Sequence, residues 1–154
     1  MIVPAGATAP EFELVNQHGQ TVSLTGLRAS GPVALVFFPL AFTGVCTGEL
    51  CELRDNLSLF QEAGVQLAAI SVDSKATLRV FAEREGYDFE LLADFWPHGE
   101  VARSYGVFNE QHGTAERGTF LIDTEGMVRV SFATERGQAR DLAAYRDGLA
   151  QLAA

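Results

Sequence analysis

The sequence offers little to a charged or metal-dependent partner. It carries 11 basic residues against 20 acidic ones, a formal charge of -9. Nucleic acids and anionic membrane surfaces both select basic patches, so neither is an expected partner. The three histidines, His18, His98 and His112, stand far apart. No cysteine–histidine cluster has metal-ligand spacing, so no metal site is expected. No apolar run approaches the ~18 residues of a membrane span. Residues 1–10, MIVPAGATAP, lack the basic and continuously apolar regions of a signal peptide, which makes the cytoplasm the expected location. Internal repeats, low-complexity tracts, a glycine-rich phosphate loop and a nucleophilic-serine elbow are all missing. With 154 residues, 47% of them hydrophobic and 20% charged, a single domain over residues 1–154 is the natural expectation.

Cysteine is scarce as well. There are two, and in a reducing compartment a cysteine pair is more often catalytic or sensing than structural. Both fall in one stretch, FFPLAFTGVCTGELC, residues 37–51. Before it, Val33–Phe38 is a short apolar run rich in β-branched and aromatic residues, a buried strand. After it, Leu50, Leu53, Leu57 and Phe60 recur at helical spacing. Pro39 halts the strand, and Thr43-Gly44 can open a helix. With Thr43 as N-cap, Cys46 is the third helical residue. Unpaired N–H groups and the helix dipole favour an anion there, and a thiolate is the nucleophilic form of cysteine. A small buried hydrophobe is the other reading of Cys46, and position alone leaves both open. The helical wheel puts Cys46 with Leu50, Leu53 and Leu57, and Cys51 with Arg54, Asp55 and Ser58 on the polar face. A thiol on a solvated face is either a tolerated surface cysteine or one with a redox task.

The rest of the chain alternates. Phe12–Val15 and Thr21–Leu24 form a hairpin about Asn16–Gln20. The helix from Thr43 reaches about Glu62 and stops at Gly64. Leu67–Val72 is a second buried strand, parallel to Val33–Phe38 in a β-α-β unit. Ser74 caps a helix over Lys75–Arg84 that closes at Gly86. A short strand (Phe89–Leu92), a brief helix (Gly99–Tyr105), a hairpin (Thr119–Asp123 and Met127–Phe132) and an amphipathic helix (Arg140–Leu152) complete the chain. Periodicity thus predicts an α/β protein with a central sheet covered by helices.

The spacing Pro39-x-x-x-Thr43-x-x-Cys46 resembles the active-site motif of the peroxiredoxins, thiol peroxidases of thioredoxin-like fold. The strings FFPLAFTGVC, ADFWPHGEVARSYGVFNEQ and RGTF are similar to AhpE-type members, so the likeness covers most of the chain. AhpE-type enzymes are described as one-cysteine, whereas Cys51 five positions after Cys46 is similar to the PrxQ (bacterioferritin-comigratory) group, where the second cysteine resolves the first. The resemblance implies a central mixed sheet flanked by helices behind an N-terminal hairpin. It implies Cys46 as peroxidatic cysteine, Thr43 and Pro39 shaping the peroxide site, Arg117 as the essential cation and Cys51 as its disulfide partner. Glu49 would orient Arg117. Without the resemblance, Thr43 is a simple N-cap, Pro39 is punctuation, Arg117 is a solvated strand end and Glu49 solvates a helix face. Arg54, on the outer face, is a weaker cation.

The implied activity is reduction of hydrogen peroxide, organic hydroperoxides or peroxynitrite through a Cys46 sulfenic acid. No cofactor is needed, because sulfur carries the electrons. A thioredoxin, a glutaredoxin-like protein or a low-molecular-weight thiol would regenerate the enzyme. A homodimer is implied, with Phe42, Trp96 and Phe108 either at its interface or in the core. Rival readings are a redox-sensing binding protein, a one-cysteine enzyme served by an external thiol and a general disulfide reductase. Four residues between the cysteines, rather than two, count against the last. Residues five apart in a helix have Cα atoms roughly 8–9 Å apart and about 140° apart in direction, whereas a disulfide tolerates about 7 Å. Pairing Cys46 with Cys51 therefore requires unwinding from Thr43 to about Leu53, which Gly44 and Gly48 ease.

Overall fold

The computed structural model describes residues 1–135 and 137–153. Its centre is β3 (Val33–Phe37), a strand buried along its whole length. Such a strand must be covered on both faces, and its alternate residues divide between two cores. Ala34, Val36 and, just beyond, Phe38 face one core; Val33, Leu35 and Phe37 face the other.

β3 pairs in parallel with β4 (Gln66–Ser71) and antiparallel with β8 (Arg117–Ile122). Outward from β4 come β5 (Glu90–Ala93), β1 (Glu13–Asn16) and β2 (Thr21–Ser23); outward from β8 comes β9 (Val128–Thr134). The result is a seven-stranded mixed sheet in the order β2-β1-β5-β4-β3-β8-β9. The first core takes residues from α2 (Gly44–Asp55), α3 (Leu57–Glu62), α4 (Lys75–Glu85) and α6 (Leu142–Ala153). The second takes them from α1 (Leu24–Arg28), α5 (Glu100–Ser104) and the N-terminal segment.

The expected architecture and the parallel β3–β4 pair are present, with four local differences. The helix drawn from Thr43 to Glu62 is two helices, because Asn56 leaves helical geometry (φ -119°, ψ 24°) and its amide donates to the Glu52 carbonyl at 2.8 Å. A side chain that takes up a backbone acceptor one turn back competes with the helix ladder. The second strand ends at Ser23, whose hydroxyl accepts the Gly26 N–H and caps α1, a helix too short to show periodicity. A two-stranded ribbon, β6 (Phe108–Asn109) with β7 (Thr114–Ala115), was also illegible at two residues per strand. Finally, α6 begins at Leu142, so Arg140 lies outside the helix assigned to it.

Two helix ends behave as the sequence requires. Gly86, at φ 70°, ends α4, and Gly64, at φ 71°, follows α3; only glycine takes this left-handed region without steric cost.

Phe120 is the aromatic centre of the second core. Its ring lies edge-on to Phe37 at 5.7 Å and to Tyr105 at 4.9 Å. Phe120→Ala should lower unfolding stability by about 3–5 kcal/mol. Urea denaturation checks this: the midpoint falls while the slope stays constant.

Candidate active site

The turn between β3 and α2 presents the candidate nucleophile. Thr43 is the N-cap of α2 in extended geometry, and Cys46 is the third helical residue, as the sequence predicts. The Thr43 hydroxyl does not cap the helix; it donates to the Leu40 carbonyl at 2.9 Å instead. Its oxygen keeps a lone pair for another donor. The loop is pinned from β4's end, where Asp73 accepts the Ala41 N–H at 2.8 Å and the Ser71 hydroxyl at 2.6 Å. Phe42, next in the loop, takes a positive φ of 65°, a conformation uncommon for a bulky side chain. Its ring rests 4.9 Å from Phe81 and within 6.0 Å of the Arg84 guanidinium.

Cys46 is fully buried. Arg117, the first residue of β8, donates from Nη2 to its sulfur at 3.2 Å. Antiparallel pairing of β8 with β3 carries Arg117 to this end of the sheet. Its other nitrogen, Nη1, meets Glu49 Oε1 at 2.9 Å. Glu49 lies three residues after Cys46, so helical spacing brings the two to the same side of α2. Neither Arg117 nor Glu49 is solvated: both are buried.

Arg140 completes the cluster, a residue that sequence reasoning assigned only to a helix. It too is buried, and it grips Glu49 three times: Nη2 to Oε1 at 2.6 Å, Nε to Oε2 at 2.9 Å and the backbone N–H to Oε2 at 2.6 Å. Its Nη1 donates to the Gly118 carbonyl and the Thr119 hydroxyl. The one available signal was an arginine preceding the first leucine of an amphipathic helix, which reads equally well as ordinary surface.

Two buried guanidinium groups thus share one buried carboxylate. Cys46 Sγ, the acceptor of the Arg117 bond, lies beside this cluster. The Arg117 bond and the N-terminus of α2 both supply positive potential where that sulfur lies. Burial pushes the Glu49 carboxyl up, but the bonds from Arg140 and the charge of Arg117 outweigh it and hold Glu49 below the usual carboxylate value.

A cavity of about 270 Å³, lined by Pro39, Leu40, Thr43, Gly44, Val45, Arg117 and Gly137, opens over this group. Pro39, Leu40 and Val45 give it apolar walls, and Thr43 and Arg117 supply polar side chains.

The second cysteine lies elsewhere. Both thiols are free, and both sit in the intact α2. Cys51 does not occupy a solvated face; it is half-buried against the end of α4, 3.3 Å from the Tyr87 hydroxyl and 3.5 Å from Glu85 Oε2. The wheel drawn on α2 alone missed this because it could not place α4 there. Arg54 pairs with Asp55 and the Glu85 carbonyl, away from Cys46. Phe42 and Trp96 are 45% and 81% exposed rather than core, whereas Phe108 is half-buried beneath the Arg103 guanidinium.

The chain matches the AhpC/TSA family over residues 5–131. It is 50% identical over 149 residues to alkyl hydroperoxide reductase E of Mycobacterium tuberculosis, with 97% of each chain covered. The chain belongs to this family, the peroxiredoxins. It is 37% identical to peroxiredoxin Bcp of Escherichia coli, over 83% of this chain and 84% of the relative. Among solved structures, peroxidoxin BcpB of M. tuberculosis superposes with a TM-score of 0.85 at 34% identity, covering 97% of this chain and 96% of the other. AhpC of Enterococcus faecalis does so at 0.88 and 25% identity, covering 97% and 92%. The fold is therefore the thioredoxin-like fold of peroxiredoxins, and the activity class is thiol-dependent peroxidase. AhpE-like and PrxQ-like features coexist in this peroxiredoxin. Among the described residues, no helix is long and apolar enough to cross a membrane.

Because Glu49 titrates lower in the folded peroxiredoxin than in the unfolded chain, its stabilising contribution is complete above the unfolded value of about 4.3. It is lost as the pH falls through the folded value. Comparing urea stability of the wild type with Glu49→Gln from pH 7 to pH 3 tests this. The wild-type advantage should narrow in acid; a constant gap would show that the carboxylate charge contributes nothing.

Proposed function

We propose that Cys46 is the peroxidatic cysteine of this enzyme and that its substrates are hydrogen peroxide and organic hydroperoxides, with peroxynitrite entering the same cavity. The observation that carries this reading is the 3.2 Å bond from Arg117 to the Cys46 sulfur, itself braced by Glu49. The sulfur anion attacks the terminal hydroxyl oxygen of the peroxide. The O–O bond breaks, Cys46 becomes a sulfenic acid, and the alkoxide or hydroxide leaves and takes a proton. Arg117 donates to the oxygen that gains charge, as a fixed fork that needs no reorganisation. The Thr43 oxygen, its own proton committed to Leu40, accepts the hydrogen of the attacked hydroxyl. Pro39 offers no N–H and keeps the cavity wall dry. The apolar lining from Leu40 and Val45 supports acceptance of an alkyl tail.

Cys51 then resolves the sulfenic acid as an intramolecular disulfide, after the first turns of α2 unwind. A thioredoxin, a glutaredoxin-like protein or a low-molecular-weight thiol returns the two electrons. The intact α2 and the outward docking of Cys51 favour a second reading, in which an external thiol resolves Cys46 directly. The enzyme acts in the cytoplasm as a homodimer, with the exposed Phe42 and Trp96 as interface candidates, and residues 1–154 form one domain.

Steady-state peroxide consumption with a dithiol reductant tests the reading. Cys46→Ser should abolish turnover. Arg117→Lys should keep the fold and lose about 10²–10³-fold in rate, the scale of removing a charge-stabilising donor. A near-normal rate in Arg117→Lys would transfer the role to another cation.

A fixed cysteine pair also makes a product prediction. Mass spectrometry after one equivalent of peroxide should find an internal Cys46–Cys51 disulfide in the wild type. Cys51→Ser should consume one equivalent, then depend on an external thiol and over-oxidise to the sulfinic acid more readily.

A further inference from the structure

The second turn of α2 is held down from outside the active site. Cys51 Sγ lies 3.3 Å from the Tyr87 hydroxyl, and the same hydroxyl donates to the Thr47 carbonyl at 3.3 Å. The single Cys51 thiol proton can go to the Tyr87 oxygen or to Glu85 Oε2, 3.5 Å away, and the Glu85 carbonyl accepts from Arg54 Nη1 at 2.5 Å. Glu85 is the last residue of α4, and Tyr87 follows the left-handed Gly86. The tight end of α4 therefore grips α2 at Thr47, Cys51 and Arg54. Tyr87 is a rigid anchor for this grip: its buried ring is edge-on to Phe81 at 5.1 Å and stacked on Phe89 at 5.3 Å. Burial, and then its bond to Cys51, push the phenol up, so it stays protonated at neutral pH.

Thr47 and Cys51 bracket the turn that has to open before the two sulfurs can meet. We infer that Tyr87 is a positioning residue for the resolving step: its hydroxyl latches the Thr47 carbonyl and the Cys51 thiol to α4 and sets how fast Cys51 is released towards Cys46. This rests on the reading of Cys51 as the resolving thiol. In the gated step the Cys51 sulfur attacks the sulfenic sulfur of Cys46. An S–S bond forms, the S–O bond breaks, and the oxygen leaves as water with the Cys51 thiol proton. Cys51 is oxidised as the sulfenic sulfur is reduced, so no outside electrons are needed. The competing event is a second peroxide molecule, which takes the sulfenic acid to sulfinic acid. A tighter latch lengthens the interval in which that can happen.

Tyr87→Phe keeps the ring and removes only the hydroxyl. Rapid mixing with one equivalent of hydrogen peroxide, followed by acid quench and mass spectrometry, separates the steps. Oxidation of Cys46 should proceed at the wild-type rate, and the disulfide should form about five- to tenfold faster, the effect of losing one or two ordinary hydrogen bonds. Excess peroxide should leave less sulfinic acid. Tyr105→Phe is the control: it loses a comparable hydroxyl, bonded to the Pro10 carbonyl at 2.7 Å in the opposite core, and should resolve at the wild-type rate. Unchanged or slower disulfide formation in Tyr87→Phe overturns the latch and leaves the resolving role intact. Equal acceleration in Tyr105→Phe also overturns it, by tracing the effect to general destabilisation. If the wild type itself forms no disulfide, the resolving role fails and the latch fails with it.

Discussion

The site depends on one buried carboxylate. Glu49 projects from α2 and receives Arg117 from the start of β8 and Arg140 from the approach to α6. Three segments distant in sequence are held together through two oxygen atoms. A buried carboxylate of this kind is tolerable only when its lone pairs are filled, and removing one partner leaves an uncompensated charge. The same arrangement orients Arg117. A guanidinium committed to Glu49 through Nη1 can present Nη2 to the sulfur in one direction only, which is the preorganisation that charge-stabilising donors need. Stability and chemistry are thus coupled at Glu49, and neither arginine can be exchanged for lysine without losing the fork geometry.

Much of the fold was legible because the central strand is a short, wholly apolar run and the elements around it are punctuated by glycine and proline. Val33–Phe37 reads as buried, and it is buried on both faces. What escaped had no local signature. α1 and the β6–β7 ribbon are shorter than any period that could reveal them, and the break at Asn56 depends on one side chain choosing the Glu52 carbonyl. In the site, Thr43 and Cys46 were placed by sequence because a helix N-terminus has local rules. Arg117 and Glu49 came to notice through the family resemblance, and the contact between them is a matter of strand pairing. Arg140 was unreadable: its partners lie 91 positions away in Glu49 and 21–22 away in Thr119 and Gly118. Cys51 failed differently. The helical wheel was sound for α2 in isolation, but the packing of α4 turned a nominally polar face into a half-buried one.

Helix α2 has to satisfy opposed demands. On the proposed mechanism, attack on peroxide needs its first turn folded, since that turn holds Cys46 against Arg117 and supplies the N-terminal potential. Formation of a Cys46–Cys51 disulfide requires that turn and the next, between Thr47 and Cys51, to open, because five helical positions separate the sulfurs by distance and direction. The sequence lowers the cost of opening in the backbone, through Gly44 and Gly48, around which an added side chain would meet nothing. These glycines serve neither a tight turn nor a close contact; their effect is to weaken helix propensity by roughly 1 kcal/mol each relative to alanine. Opposing them, the contacts that hold α2 closed lie at its flanks: Glu49 to the arginines on one side, Thr47, Cys51 and Arg54 to the end of α4 on the other. Leu50 and Leu53 also anchor α2 in the first core, so opening the helix gives up apolar packing as well as these bonds. On the proposed mechanism, that combination lets one short segment hold the Cys46 sulfur in place and still surrender it to a partner.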